Sequence, residues 1–135
     1  MENIQDKFMR HLKSGRKLHR KKDSRRLLKK SLMASLILHG RIRTTKAKAE
    51  ETSKEIEKLI TKAKKQSLSS FRELKKFLPA KASNKLYYEI APLFKERSGG
   101  YTRIIKTSEK KLKDGSPVVI LEFVEAINNA TSKEK

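Results

Sequence analysis

Two segments decide the fold. The first is Ser98-Gly99-Gly100-Tyr101-Thr102-Arg103-Ile104-Ile105-Lys106-Thr107. The second is Pro117-Val118-Val119-Ile120-Leu121-Glu122-Phe123-Val124. The Ser-Gly-Gly break ends a long region of helical patterning. Residues 101–107 are rich in β-branched and aromatic side chains and read as a strand. Residues 108–116 form a lysine-rich loop in which Asp114-Gly115 marks a turn. Residues 117–124 are a nearly continuous apolar run of strand length. Two strands alone are marginal in water, so this pair must pack on helices. The sequence therefore predicts an α/β fold of the α+β type, with about four helices packed on a small β-sheet.

Four helices are read upstream of the break. The fourth runs from Asn84, capped by Ser83, to about Ala91 or Phe94, and Pro92 disturbs its last turn. The third runs from Ser70 to Leu78 and is ended by Pro79. The second runs from Lys46 to Gln66 behind Thr44 or Thr45 as cap, burying Ala49, Thr52, Ile56, Leu59, Ile60 and Ala63. Its glutamates come early and its lysines late, which suits the helix dipole. The pairs Glu51–Lys54 and Glu55–Lys58 read as a solvated, salt-laced face. The first helix begins at Asp23 or Ser24, carries Leu28, Leu32, Ser35, Leu36 and His39 along one stripe, and stops at Gly40. Residues 41–45 read as a short basic connector.

Ahead of the first helix the chain becomes a cationic arm. Between Arg10 and Lys30 there are eleven Lys or Arg residues and one acid, Asp23, about half of the formal net charge of +20. Such a segment repels itself in water and buries no core, but beside a polyanion each neutralised phosphate releases counterions. Ordering about thirteen arm residues costs on the order of 13–26 kcal/mol of backbone entropy. The expectation is an arm over residues 1–22 that is disordered off its partner, one globular unit over 23–125, and a flexible tail over 126–135. Residues 1–8 read as an extension ahead of Met9 and match no signal or transit peptide.

Composition narrows the partner. Thirty-five basic residues face fifteen acidic ones, and there is no cysteine, which excludes thiolate metal sites and thiol nucleophiles. His11, His19 and His39 lack ligand spacing, so neither metal nor cofactor is expected. No phosphate-binding glycine loop, dinucleotide fingerprint or nucleophile elbow occurs, so no enzyme and no small-molecule substrate are expected. No apolar run reaches membrane-spanning length, and a cytoplasmic protein is expected. A DNA-binding architectural protein shares the charge but would need a helix-turn-helix, zinc or basic-zipper signature, and none is found. A peripheral membrane binder is disfavoured because the first helix lacks Trp or Phe on its apolar face.

The ordered set Ser14-Gly15-Arg16-Lys17-Leu18, Ser35-Leu36-Ile37-Leu38-His39, Arg41-Ile42-Arg43-Thr44-Thr45-Lys46-Ala47-Lys48-Ala49, Lys58-Leu59-Ile60-Thr61, Glu89-Ile90-Ala91-Pro92 and Gly99-Gly100-Tyr101-Thr102-Arg103-Ile104 resembles the bacterial large-subunit ribosomal protein seventeen family. The resemblance spans about Met9 to Glu125. It departs from the family at Leu12 (usually Arg), at His19 (usually Gly), over 21–24, and at Gly40 (usually Glu). It implies a structural constituent of the large ribosomal subunit that binds large-subunit ribosomal RNA. It further implies a place near the rim of the peptide exit tunnel, with large-subunit proteins twenty-two and thirty-two as neighbours.

The candidate RNA-binding residues follow from charge and position. The arm offers Arg10, His11, Lys13, Ser14, Arg16, Lys17, Arg20, Lys21 and Lys22, and the first helical turn adds Arg25 and Arg26. Arginine can fork onto phosphate oxygens or stack on bases. Arg41, Arg43, Thr44, Thr45, Lys46 and Lys48 surround the start of the second helix, where anions are favoured. Arg97, Tyr101 and Arg103 flank the glycine break, and Tyr101 reads equally as a stacking residue or as core.

Overall fold

The computed structural model describes residues 13–127, so Arg10 and His11 of the expected RNA-binding set lie outside the described residues. Helix α1 spans Lys22–His39, strand β1 Arg41–Thr45, helix α2 Lys46–Ala63 and helix α3 Leu68–Phe77. A short helix α4 (Ala80–Lys85) continues into a π-helical turn (Leu86–Ile90) and a last helical turn α5 (Ala91–Leu93). Strands β2 (Thr102–Lys110) and β3 (Pro117–Phe123) complete the order. The expected architecture of helices on a small sheet is observed.

Strand β1 corrects the reading of residues 41–45 as a connector. Gly40 adopts the left-handed conformation at φ 79° and its N–H bonds the Leu36 carbonyl, closing α1. The chain reverses there and pairs antiparallel with β3, Arg41 opposite Glu122 and Thr45 opposite Val118. The sheet order is β1-β3-β2. Strand β3 is thus central, which explains its apolar run. Val119, Leu121 and Phe123 point inward and are buried, whereas Val118, Ile120 and Glu122 lie on the half-covered outer face.

Helix α2 lies over the inner face of the sheet and touches α1, α3, the π-helical turn and all three strands. Its fully buried Ile56 and Ile60 meet Leu36 and Ile37 of α1, Leu74 of α3, Leu86 and Ile90 of the π-helical turn, and Leu121 in one core. Each such side chain contributes roughly 1.5–3 kcal/mol by leaving water. Ile127, inside the expected flexible tail, also packs against this core.

Helix boundaries differ from expectation where capping does. Helix α1 starts behind Lys21 with no side-chain cap, so neither Asp23 nor Ser24 caps it. Helix α3 starts earlier than Ser70 because Ser67 and Ser70 exchange reciprocal cap bonds. Ser83 lies within α4 rather than before it, and its hydroxyl donates to the Pro79 carbonyl at 2.9 Å. The π-helical turn is closed by the Ala91 N–H donating to the Leu86 carbonyl, one residue ahead of Pro92, which has no N–H to extend the ladder.

Leu121→Ala tests the central position of β3. Truncation of this fully buried side chain should lower unfolding stability by about 2–5 kcal/mol in urea titration.

Candidate nucleic-acid interface

The glutamates of α2 are not a solvated face. Glu50 pairs with Arg16 of the arm, Glu55 with Lys29 of α1 at 2.5 Å, and Glu57 accepts from the Thr102 hydroxyl of β2 at 3.0 Å. Glu55 thus reaches α1 rather than Lys58. Glu51 is buried, is reached by Lys54 at 3.3 Å, and lies under Gly15. Gly15 adopts φ 90°, and a Cβ there would sit 3.6 Å from a Glu51 oxygen. That contact is an ordinary one; it is the positive φ that favours glycine here.

Beyond Gly15 the arm makes a turn in which the Arg20 N–H bonds the Lys17 carbonyl at 3.1 Å. Leu18 and His19 at its corner both have positive φ, 53° and 54°. Such conformations are costly for side chains other than glycine. The turn sets Arg20 opposite the start of α2. There Thr45 precedes the helix with no side-chain cap bond, leaving the first-turn N–H groups without a side-chain acceptor.

A cleft of about 490 Å³ opens between these segments. Arg16, Leu18 and Arg20 form one wall, Thr45 to Lys48 the floor, and Lys111 with Ser116 the other wall. Asp114 also lines it, and its carboxylate is occupied in accepting the Ser116 N–H at 3.1 Å. Burial, then the like charges of Lys111 and Arg20, push the Lys48 ammonium below its usual range. Among the described residues no carboxylate pairs with Arg20, Lys48 or Lys111. Uncapped helix N–H groups and converging cations can hold an anion. Lys111 is absent from the expected residues; the run Lys110-Lys111 beside the Asp114-Gly115 turn was its signal.

The outer face of the sheet gathers a second set. Register aligns Arg41, Glu122 and Arg103 in one row, and Arg43, Ile120 and Ile105 in the next. Arg103 donates to Glu122 at 2.5 and 2.6 Å, and Arg43 pairs with Glu109. All three arginines remain exposed. Lys13, Ser14, Lys17, Lys21, Lys22 and Arg26 are exposed along the arm and α1, while Arg25 is half-buried with its guanidinium on the Arg20 carbonyl.

Three expected contacts fall outside these surfaces. Thr44 pairs with buried Val119, so the alternation of the strand turns it inward. Arg97 lies beyond the far end of α2 and pairs with Glu125 at 3.7 Å. Tyr101 is buried against Phe94, and its hydroxyl bonds Lys64 at 3.1 Å, so it serves the core and is not offered to a base. Among the described residues there is no cluster of metal-ligating side chains, and no helix is long and apolar enough to cross a membrane.

The fold defines a basic α+β domain with a cationic cleft at the start of α2. The sequence profile of the family "Ribosomal protein L17" matches residues 28–124. A protein named large ribosomal subunit protein bL17 from Sulfurihydrogenibium sp. (strain YO3AOP1) is 46% identical over 118 residues, covering 87% of this chain and 98% of the relative. Its namesake from Thermus thermophilus is 44% identical over 118 residues, covering 87% of this chain and 100% of the relative. The namesake from Borreliella afzelii (strain PKo) is 46% identical over 110 residues, covering 81% and 89%. The chain belongs to the ribosomal protein L17 family, a family of ribosomal structural proteins rather than of enzymes.

The arm's docking should depend on pH through Glu50. The hydrogen bond from Arg16 holds the Glu50 carboxyl below its ordinary value of 4.5. A depressed folded value means that this contribution is fully present above the ordinary value and is lost as pH falls through the lower one. The backbone NMR shifts of residues 15–17 should therefore move towards random-coil values as pH falls below about 4.5, and Glu50→Gln should remove that dependence.

Proposed function

We propose that this chain is a structural constituent of the large ribosomal subunit and binds large-subunit ribosomal RNA by charge neutralisation and shape, with little reading of base edges. The observation that carries this reading is the cleft in which the uncapped start of α2 meets Arg20, Lys48 and Lys111. A phosphate seated there would accept from backbone N–H groups and relieve the mutual repulsion of Lys48, Lys111 and Arg20. The arm, held on α2 through Arg16, offers its exposed Lys13, Lys17, Lys21 and Lys22 to further phosphates. Arg41, Arg43 and Arg103 make a further phosphate-facing surface on the sheet. Membership of the family supports the subunit's RNA and its proteins as partners. The finer assignment is a site near the peptide exit tunnel rim, beside large-subunit proteins twenty-two and thirty-two. No catalysis and no cofactor are part of this role, and the chain works in the cytoplasm within the ribosome.

Filter binding to a large-subunit RNA transcript across a salt series tests the role of the cleft. Arg20→Ala, Lys48→Ala and Lys111→Ala should each weaken binding and flatten the slope of log K against log salt by about 0.7–0.9 for every phosphate no longer neutralised. An unchanged slope in the triple variant, or a preference for duplex DNA at matched salt, would contradict the proposal.

A further inference from the structure

Away from the cleft, three aromatic rings meet at the surface without entering the core fully. Phe71 of α3 lies 4.8 Å from Tyr87 and 5.8 Å from Tyr88 between ring centroids, and the two tyrosines are 5.0 Å apart. Tyr88 is 64% exposed. Neighbouring residues on an α-helix diverge by about 100°, which would separate two adjacent tyrosines. Here they stand on the π-helical turn, whose wider winding keeps both rings beside Phe71. Such turns are uncommon and recur at functional sites.

A second backbone feature holds the same point. Gln66, just past the end of α2, adopts a left-handed conformation at φ 52°. Its side-chain amide donates to the carbonyls of Ala63 and Tyr87, both at 3.0 Å. A non-glycine residue in this conformation is strained and persists where its surroundings fix it. The bond to Tyr87 ties the π-helical turn to α2 and fixes the ring cluster in place.

The charge around the rings selects the occupant. The Lys75 ammonium sits 4.6 Å from the Phe71 centroid. Helical spacing sets Leu68, Phe71, Arg72 and Lys75 along one stripe of α3, and Leu68 is 63% exposed. Glu73 is engaged by Lys62 at 3.0 Å, and Glu89 follows Tyr88 in the chain. A small aromatic surface rimmed by cations complements a planar base attached to a phosphate.

We propose that Phe71, Tyr87 and Tyr88 form a stacking platform for an unpaired base of RNA, with Arg72 and Lys75 on its phosphate. The proposal rests on the RNA-binding reading above and adds a contact of different chemistry, on a different part of the fold. Stacking is tolerant of base identity, so the platform would hold a looped-out or single-stranded nucleotide without reading sequence.

The chain contains no tryptophan, so Tyr88→Trp in the full-length protein introduces a single indole at the platform. Its fluorescence should be quenched on titration with a short oligoadenylate and with the large-subunit RNA transcript, in step with filter retention. Tyr88→Ala should weaken retention about tenfold with an unchanged salt slope, and Tyr88→Phe should restore it. Urea midpoints equal to the parent's would assign the loss to the surface rather than the fold. If Tyr88→Ala retains RNA like the parent and the indole is not quenched, the platform is wrong while RNA binding stands. A variant that keeps its RNA but fails to bind a purified neighbouring ribosomal protein would replace the base with a protein occupant and overturn the proposal. Failure of the parent chain to retain RNA at all would remove both readings.

Discussion

Self-repulsion is the constraint on which the structure depends. Thirty-five cations and fifteen anions share 135 residues, and a compact state with such an imbalance is opposed by its own field. The fold answers by using its carboxylates as internal tethers. Glu50, Glu55 and Glu57 of α2 reach the arm, α1 and β2 respectively. Glu109 and Glu122 hold arginines across the sheet. Arg20, Lys48 and Lys111, which pair with no carboxylate among the described residues, converge where the arm, the start of α2 and the β2–β3 loop meet. Surface pairs of this kind contribute little individually; their importance lies in where they leave charge uncompensated.

Helix α2 joins that electrostatic arrangement to the core. Ile56 and Ile60 bury one face against the other helices and the sheet, while the opposite side of its first half carries the tethers. Its N-terminus is left without a side-chain cap. A capped start would satisfy the same N–H groups from within and weaken their pull on an external anion. The basic start of α1, also without a side-chain cap, opposes its own dipole in the same manner. Both helices start with backbone N–H groups that no capping side chain satisfies, and the oxygens of a polyanion could accept from them.

Local patterning made much of the fold legible. The helix stripes, the glycine break and the pair β2–β3 rest on spacing and turn residues close together in sequence. Strand β1 did not stand out because it has five residues, contains one aliphatic side chain, Ile42, and finds its partner β3 far along the chain. The same limit hid the glutamate tethers. Helical spacing shows that Glu55 is near Lys58, but it does not show Lys29 arriving from another helix. At the candidate interface the arm and the start of α2 were legible from charge. Lys111 entered only through the fold, and Tyr101 left the set because a strand-start aromatic is equally suited to the core.

The most direct test of ribosomal membership is sucrose-gradient fractionation of a cell lysate at moderate and at high salt, probed for this chain. Co-sedimentation with the large subunit should survive the high-salt wash, because many phosphate contacts would have to break together. A chain that remains at the top of the gradient, or leaves the large subunit at the first rise in salt, would contradict it.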